Sequence, residues 1–303
     1  MDLIRTGLQN LDDARANLDR LKADGVSDER LVGMLKALSK ACDPDCALSN
    51  FVDITNAMQS QGRDFDAMVP DEAALERLIT VLGVSDEMGK LMRFRPELVE
   101  AAANDACESH LYNHEQRRAH VLKSVGADPN DHTMPTASLP LAEAATALRK
   151  TYRKQLAAIM AQDATANDPI EIQPRISTEL SDLADAALEG ALAIARHEVD
   201  GSGHVRFAII GMGKLGAQEL NYVSDVDLIY VVEPADADTN GMTLSRVGTK
   251  MATTLQRVCQ SVIMGVAEPT LWQIDGGLRP EGKDGPLVRR LESHEAYYEQ
   301  WAE

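Results

Sequence analysis

Apolar residues recur at steps of three and four through the first two hundred positions. Leu8, Leu11, Ala14, Leu18 and Leu21 form one such stripe, which predicts a helix with one face on a core. Gly25 offers a left-handed stop. Ser27 then caps a second helix with the stripe Leu31, Met34, Leu35 and Leu38, and Asp43-Pro44 breaks it. A third stripe uses Leu48, Phe51, Val52 and Met58. A fourth helix opens at Pro70-Asp71, carries Leu75, Leu78, Ile79 and Leu82, and ends at Gly83. Short helices are expected through Met88 to Met92 and Pro96 to Ala103. Gly126 to Pro140, with three prolines and small polar residues, reads as a loop. Two long helices follow, over 141–162 and 177–198, separated by the polar, Pro-containing stretch Asp163–Pro174. No fixed-period repeat is apparent.

After Asp200-Gly201-Ser202-Gly203 the period changes. Val205 to Ile210 is a short apolar run ending at Gly211 and predicts a buried strand. Lys214 to Tyr222 reads as a short helix, Asp227 to Val232 as a second strand, Thr243 to Met264 as a long helix, and Thr270 to Asp275 as a third strand. The Gly-rich loop GGLRPEGKDGPL comes next, and a last helix starts near Glu292. The expected architecture is α+β: a helical region over 1–200, then a small mixed-sheet domain flanked by helices over 201–303.

Two motifs offer chemistry. Gly211-Met212-Gly213-Lys214-Leu215-Gly216 has the G-x-G-x-x-G spacing of a dinucleotide-binding turn, and Glu233 stands where a ribose-binding acid would. The bland alternative is a tight strand-to-helix turn able to hold any anion. The next strand argues against a dinucleotide site, because it begins Ser224-Asp225-Val226-Asp227 rather than apolar. Residues i and i+2 of a strand share a face. Two carboxylates there repel each other unless a cation intervenes, and oxygen donors call for Mg²⁺ or Mn²⁺. A hydrated strand start with two exposed acids is the alternative. Asp275 is the only charged residue of its predicted strand. If that strand lies beside the second, Asp225, Asp227 and Asp275 converge as metal ligands and catalytic groups for phosphoryl transfer. Gly211, Gly213, Lys214 and Ser224 would then border nucleotide phosphates. Arg279 and Lys283 could neutralise charge on a leaving group, or else cap a helix end and lie on solvated surface.

Charge narrows the partners. The 303 residues carry 30 Lys+Arg and 48 Asp+Glu, a net −18. So acidic a surface disfavours nucleic acid. The imbalance sits mainly in 1–200, since 201–303 hold 9 basic and 14 acidic residues. No apolar run reaches the ~20 residues of a membrane span, and MDLIRTGLQN lacks the pattern of a signal peptide. Cys42, Cys46, Cys107 and Cys259 are too few and scattered for a disulfide framework, and a cytoplasmic location is expected. Cys42 and Cys46 straddle Asp43-Pro44 and read as a helix end. Cys107, His110 and His114 fall on one helix face without an evident fourth zinc ligand, His132 lying across a Pro-bearing loop. Arg149, Lys150, Arg153 and Lys154 form a basic strip that reads as a solvated face, with docking of an acidic partner as the alternative.

The order of a Gly turn, a D-x-D strand and a later single Asp resembles the nucleotidyltransferase superfamily that includes polymerase beta. GMGKLGAQELNYVSDVDLIY and LWQIDGGLRPEGKDGPLVRRLESHEAYYEQW are similar to the bifunctional glutamine synthetase adenylyltransferase/adenylyl-removing enzymes, whose wording is close to GMGKLGGxELNxxSDxDLI and DxRLRPxGxxGPLV. LDDARANLDRL, RLITVLGVSDEMGKLMRFRPELV and ELSDLADAALEGAL extend the likeness along the helical part. Two departures stand out: Gly277 replaces the first arginine of DxRLRP, and Ala217 follows Gly216 in place of a second glycine. The family has two catalytic copies, and the ELNYVSDVD wording after a helical region resembles the first, adenylyl-removing copy. One copy ending at Glu303 implies a fragment or an incomplete reading frame. The resemblance implies phosphorolysis of adenylyl-tyrosine on glutamine synthetase, giving ADP, with AMP transfer from ATP to the tyrosine, releasing pyrophosphate, as the other copy's reaction and the alternative here. It implies Asp225, Asp227 and Asp275 around Mg²⁺ or Mn²⁺, ATP, ADP and phosphate as small-molecule substrates, and a PII-type signal protein as a further partner. The alternative is an inert docking module that binds glutamine synthetase or a PII-type protein.

Overall fold

The computed structural model describes residues 3–104, 112–237 and 239–301. The chain groups into two units, one of residues 1–111 with 153–173 and the other of 112–152 with 174–303.

The first unit is helical. It contains α1 (Leu11–Ala23), α2 (Asp28–Leu38), α3 (Pro44–Ser60), α4 (Phe65–Met68), α5 (Glu72–Val84), α6 (Asp86–Met92) and α7 (Pro96–Ala103). The expected stripes form its core: Leu21, Met34, Leu38, Leu48, Phe51, Met58, Leu75 and Leu78 are buried together. Short side chains start the helices. Ser27 Oγ accepts from Arg30 N at 3.2 Å, Asp43 Oδ1 from Cys46 N at 2.9 Å and Asp71 Oδ1 from Ala74 N at 2.7 Å. Each such cap contributes about 1 kcal/mol. Asp43-Pro44 therefore opens α3, with proline at its first turn, rather than closing α2, which already ends at Leu38. Gly25, at φ +89°, turns the chain out of α1 as expected. Gly83 does not end α5. It lies inside the helix, where a Cβ would come within 3.0 Å of Ala41 Cβ, so close packing and not a turn explains it.

In the second unit come α8 (His114–Ser124), the first half of α9 (Leu141–Ala164) and most of α10 (Pro169–Glu198). α10 starts eight residues earlier than expected and carries Pro174 inside it. Asp168 Oδ1 accepts from Ile170 N at 2.9 Å and Glu171 N at 3.1 Å, so the polar stretch supplies a helix cap instead of a long linker. The 126–140 loop is held by arginines from beneath. Arg118 donates to Pro129 O and Asp131 O, each at 2.8 Å, and Arg196 to Pro135 O at 2.9 Å. Residues 112–152 and 174–200 thus group with the sheet, although the change from helices to strands falls near 200.

The sheet has four strands: β1 (Val205–Gly211), β2 (Val226–Pro234), β3 (Ile274–Asp275) and β4 (Val288–Arg290). β1 pairs antiparallel with β2, while β3 and β4 both run parallel to β2. The α+β expectation holds. The third strand shrinks from six residues to two, and β4 is new. Gly213–Gly216 forms a single turn, α11, in place of a helix to Tyr222. α12 (Gly241–Gln260) stops four residues short of Met264, and α13 (Leu291–Trp301) is as expected. Among the described residues, no helix is long and apolar enough to cross a membrane.

Free cysteines differ sharply in setting. Cys42 is exposed, while Cys259 is fully buried and its thiol is pushed up to about 12 by burial. The thiolate is the reactive form. A thiol-directed alkylating agent at neutral pH is therefore expected to label Cys42 in the native protein and Cys259 only after unfolding, as peptide mass spectrometry would read. Native labelling of Cys259 at the Cys42 rate would contradict the packing of α12.

Candidate active site

β2 is apolar and buried from Leu228 to Val232, so hydrophobic burial holds it as the central strand. Its start is polar because the chain emerges there from the core. Asp225 precedes the strand and Asp227 is its second residue. The short parallel pairing with β3 places Asp227 directly opposite Asp275, with Val226 opposite Ile274. Partners across a parallel pair share a face, and one carboxylate oxygen from each of Asp225, Asp227 and Asp275 lies within 4.8 Å of the others. Burial, then the charges of Asp225 and Asp275, raise the Asp227 carboxyl above its ordinary range, while Lys214 opposes the shift. Three acids so placed are an unbalanced negative centre built of hard oxygen donors, and they fit Mg²⁺ or Mn²⁺.

The Gly turn abuts this centre. Met212 N donates to Asp227 O at 2.9 Å. Gly213 sits at φ +53°, where a Cβ would stand 2.6 Å from Asp227 Oδ2. Both the backbone angle and the lack of a side chain are needed there. Gly213→Ala is expected to push the Asp227 carboxylate aside. The rise in melting temperature on adding Mg²⁺ should be lost, while unfolding without metal shows only the ~1–2 kcal/mol cost of a left-handed alanine. An unchanged Mg²⁺ shift would show that the turn does not set the carboxylate. Lys214 Nζ donates to Ser224 Oγ at 3.3 Å, and Ser224 donates to Asn221 Oδ1 at 2.9 Å. Lys214 and Ser224 are therefore neighbours beside the acids, and Gly211 closes the end of β1.

Beyond Asp275 the loop folds around Arg279. Its Nε donates to Gly285 O at 3.1 Å, Nη1 to Gly276 O at 2.6 Å and Nη2 to Lys283 O at 3.1 Å. The guanidinium thus braces the loop's own backbone. Arg279 and Lys283 nevertheless border the same cleft of about 410 Å³ as Asp225 and Asp275. Gly277 N donates to Asp275 Oδ1 at 2.7 Å, and a Cβ at 277 would stand 2.9 Å from that oxygen. A larger residue at 277 requires the Asp275 carboxylate to turn, so Gly277 and the present Asp275 rotamer belong together.

Sequence reasoning missed two residues of this cleft, Gln256 and Gln273. Gln256 sits one turn before Gln260, whose Oε1 accepts from Ile274 N at 2.7 Å. The i, i+4 glutamine pair on α12 was the available signal. The dinucleotide-binding reading fails on topology. β1 and β2 are adjacent and antiparallel, and Glu233 lies opposite Arg206 in an ion pair at 3.5 Å. A dinucleotide fold needs parallel strands joined by a crossover helix.

The other sequence candidates disperse. Cys107 and His110 lie outside the described residues, and His132 joins none of the metal-ligating groups found among the described ones. Arg149 and Arg153 are buried, while Lys150 is exposed and Lys154 partly so, so only the lysines of the basic strip meet solvent. Arg149 meets backbone carbonyls inside the protein.

A family model described as glutamate-ammonia ligase adenylyltransferase matches residues 75–303. The chain is 74% identical over 303 residues to the bifunctional glutamine synthetase adenylyltransferase/adenylyl-removing enzyme of Bifidobacterium longum (strain NCC 2705), covering 100% of this chain and 28% of that protein. Its counterpart in Cutibacterium acnes is 37% identical over 303 residues, with 100% and 30% covered. That of Streptomyces coelicolor is 34% identical over 294 residues, with 95% and 26% covered. The chain thus spans less than a third of the length of these relatives.

Proposed function

The chain belongs to the glutamate-ammonia ligase adenylyltransferase family, and from that premise we propose that it carries a metal-dependent nucleotidyltransferase centre acting on glutamine synthetase by removal of AMP. The observation that carries this reading is the parallel register of Asp227 with Asp275, which brings one carboxylate oxygen of each of three acids within 4.8 Å of the others. Asp225, Asp227 and Asp275 would hold Mg²⁺ or Mn²⁺, which when bound offsets negative charge on the phosphoryl group. In the removal direction an oxygen of inorganic phosphate attacks the adenylyl phosphorus. The bond to the tyrosine oxygen breaks, and the products are ADP and the unmodified tyrosine. The nucleophile is already ionised, so no strong base is required of the chain. Lys214 and Lys283, the exposed cations beside the cleft, are placed to attract phosphate and the nucleotide. The Arg279-braced loop keeps Asp275 in register.

The direction rests on the likeness of ELNYVSDVD to the adenylyl-removing copy. AMP transfer from ATP to the tyrosine, with pyrophosphate leaving, would call on the same pattern of three acids. Incubating adenylylated glutamine synthetase with phosphate, Mg²⁺ and the chain should yield ADP. Formation of AMP-tyrosine and pyrophosphate from ATP, with no ADP from phosphate, would reverse the direction. Retention of glutamine synthetase without either reaction would leave a docking role, whether alone or with a PII-type protein.

A further inference from the structure

A second group of metal-ligating side chains stands apart from the cleft. His114 is the first residue of α8, and Asp182 and Asp185 sit three apart on one face of α10. One ligand atom from each lies within 4.8 Å of the others. His114 Nδ1 is 3.2 Å from Asp182 Oδ1. Of these residues the sequence spacing singles out His114 alone, with Cys107 and His110, and the proposed reaction uses none of the three.

Local structure sets them in place. Asn113 and Gln116 form a reciprocal cap that fixes the start of α8, with Asn113 Oδ1 accepting at 2.9 Å and Gln116 Oε1 at 3.0 Å. The Asp182 side chain is only 14% exposed and that of His114 is 51% exposed. Asp185 is half-buried and accepts no hydrogen bond among the described residues; burial lifts its carboxyl to about 6. Asp182 faces both the His114 imidazole and the Arg117 guanidinium, while Asp185 feels the His114 imidazole against the Asp182 charge.

His114 and Asp185 line a cavity of about 480 Å³ between α10 and β1, floored by Phe207, Ile209 and Leu215. The cavity gives a hydrated ion a way to His114 and Asp185. One imidazole and two carboxylates, with a further position open to the cavity, are the donor set of a borderline divalent cation rather than of Mg²⁺. We propose that His114, Asp182 and Asp185 form a second metal site, selective for Zn²⁺-class ions and independent of the Asp225–Asp227–Asp275 centre. Asp182 follows Ser181, whose Oγ accepts from Leu220 N at 3.3 Å. A bound ion would therefore tie α8 to α10 beside the segment that leads from the Gly turn to Asp225.

The test uses the chain carrying Asp225→Asn and Asp227→Asn, so that the first centre is disabled. Calorimetric titration with Zn²⁺ should show one equivalent bound. Co²⁺ in the same background should give visible bands without a thiolate charge-transfer band, since no cysteine is among the ligands. Adding Asp182→Asn and Asp185→Asn should weaken Zn²⁺ binding by on the order of 10²-fold or more, with melting in EDTA as the check on folding. If that variant does not fold, His114→Ala is read in its place. Absence of binding, a thiolate band, or binding unmoved by these substitutions would overturn the site.

Discussion

Asp227→Asn is expected to lower Mg²⁺-dependent release of ADP from adenylylated glutamine synthetase by on the order of 10³-fold or more. The estimate follows from the several kcal/mol that a divalent cation supplies to phosphoryl transfer. Asparagine keeps the shape and the backbone pairing with Asp275 but removes the charge between the other two acids. The native carboxyl is held above its ordinary range by burial and by Asp225 and Asp275, so the substitution relieves repulsion. The melting temperature without metal should stay level or rise. Adding Mg²⁺ should raise the melting temperature of the unsubstituted chain and leave the variant unmoved. Activity within tenfold of the original, or an equal Mg²⁺ shift in both proteins, would remove Asp227 from the centre. A loss of activity accompanied by a lower melting temperature would show a folding defect instead.

Arg149→Met should destabilise the second unit by about 3 kcal/mol or more, since each buried acceptor left without its donor costs about 1–3 kcal/mol. The Arg149 residue is 1% exposed. Its guanidinium donates to Val258 O at 2.8 and 3.1 Å, to Ser261 O at 2.7 Å and to Glu268 O at 2.9 Å. Val258 lies in the last turn of α12, whose final carbonyls have no partners within the helix. Arginine supplies the partner of the Val258 carbonyl, as Leu271 N does for that of Cys259, and ties down the 261–268 loop at once. Methionine fills the volume but leaves these carbonyls unpaired in the interior. Urea unfolding of the unit's tryptophan signal would measure the loss, because Trp272 Nε1 donates to Tyr152 OH at 3.1 Å nearby. A change under 1 kcal/mol would mean that water replaces the guanidinium without penalty.

Local pattern carried much of the fold. The stripes of α1, α2, α3 and α5 are the first unit's core, because a 3.6-residue period is a property of the helix itself. β1 and β2 were legible as apolar runs, and the shared face of Asp225 and Asp227 follows from the two-residue strand period. The errors came where a neighbour decides. Gly83 looks like a stop but packs against Ala41. The 163–174 stretch looks like a linker, yet Asp168 caps a helix that runs through Pro174. Arg149 and Arg153 look like surface, but burial depends on what α9 packs against.

The chain's own order of residues was enough to set the helices, the two main strands and the acid pair at 225 and 227, since each of these depends on backbone geometry over a few residues. Tertiary structure alone decided that β1 and β2 are antiparallel, that Asp275 stands opposite Asp227, and that His114 meets Asp182, 68 positions away, and its neighbour Asp185. Strand order, register and helix packing are settled by contacts between distant segments, whose energies no local period encodes.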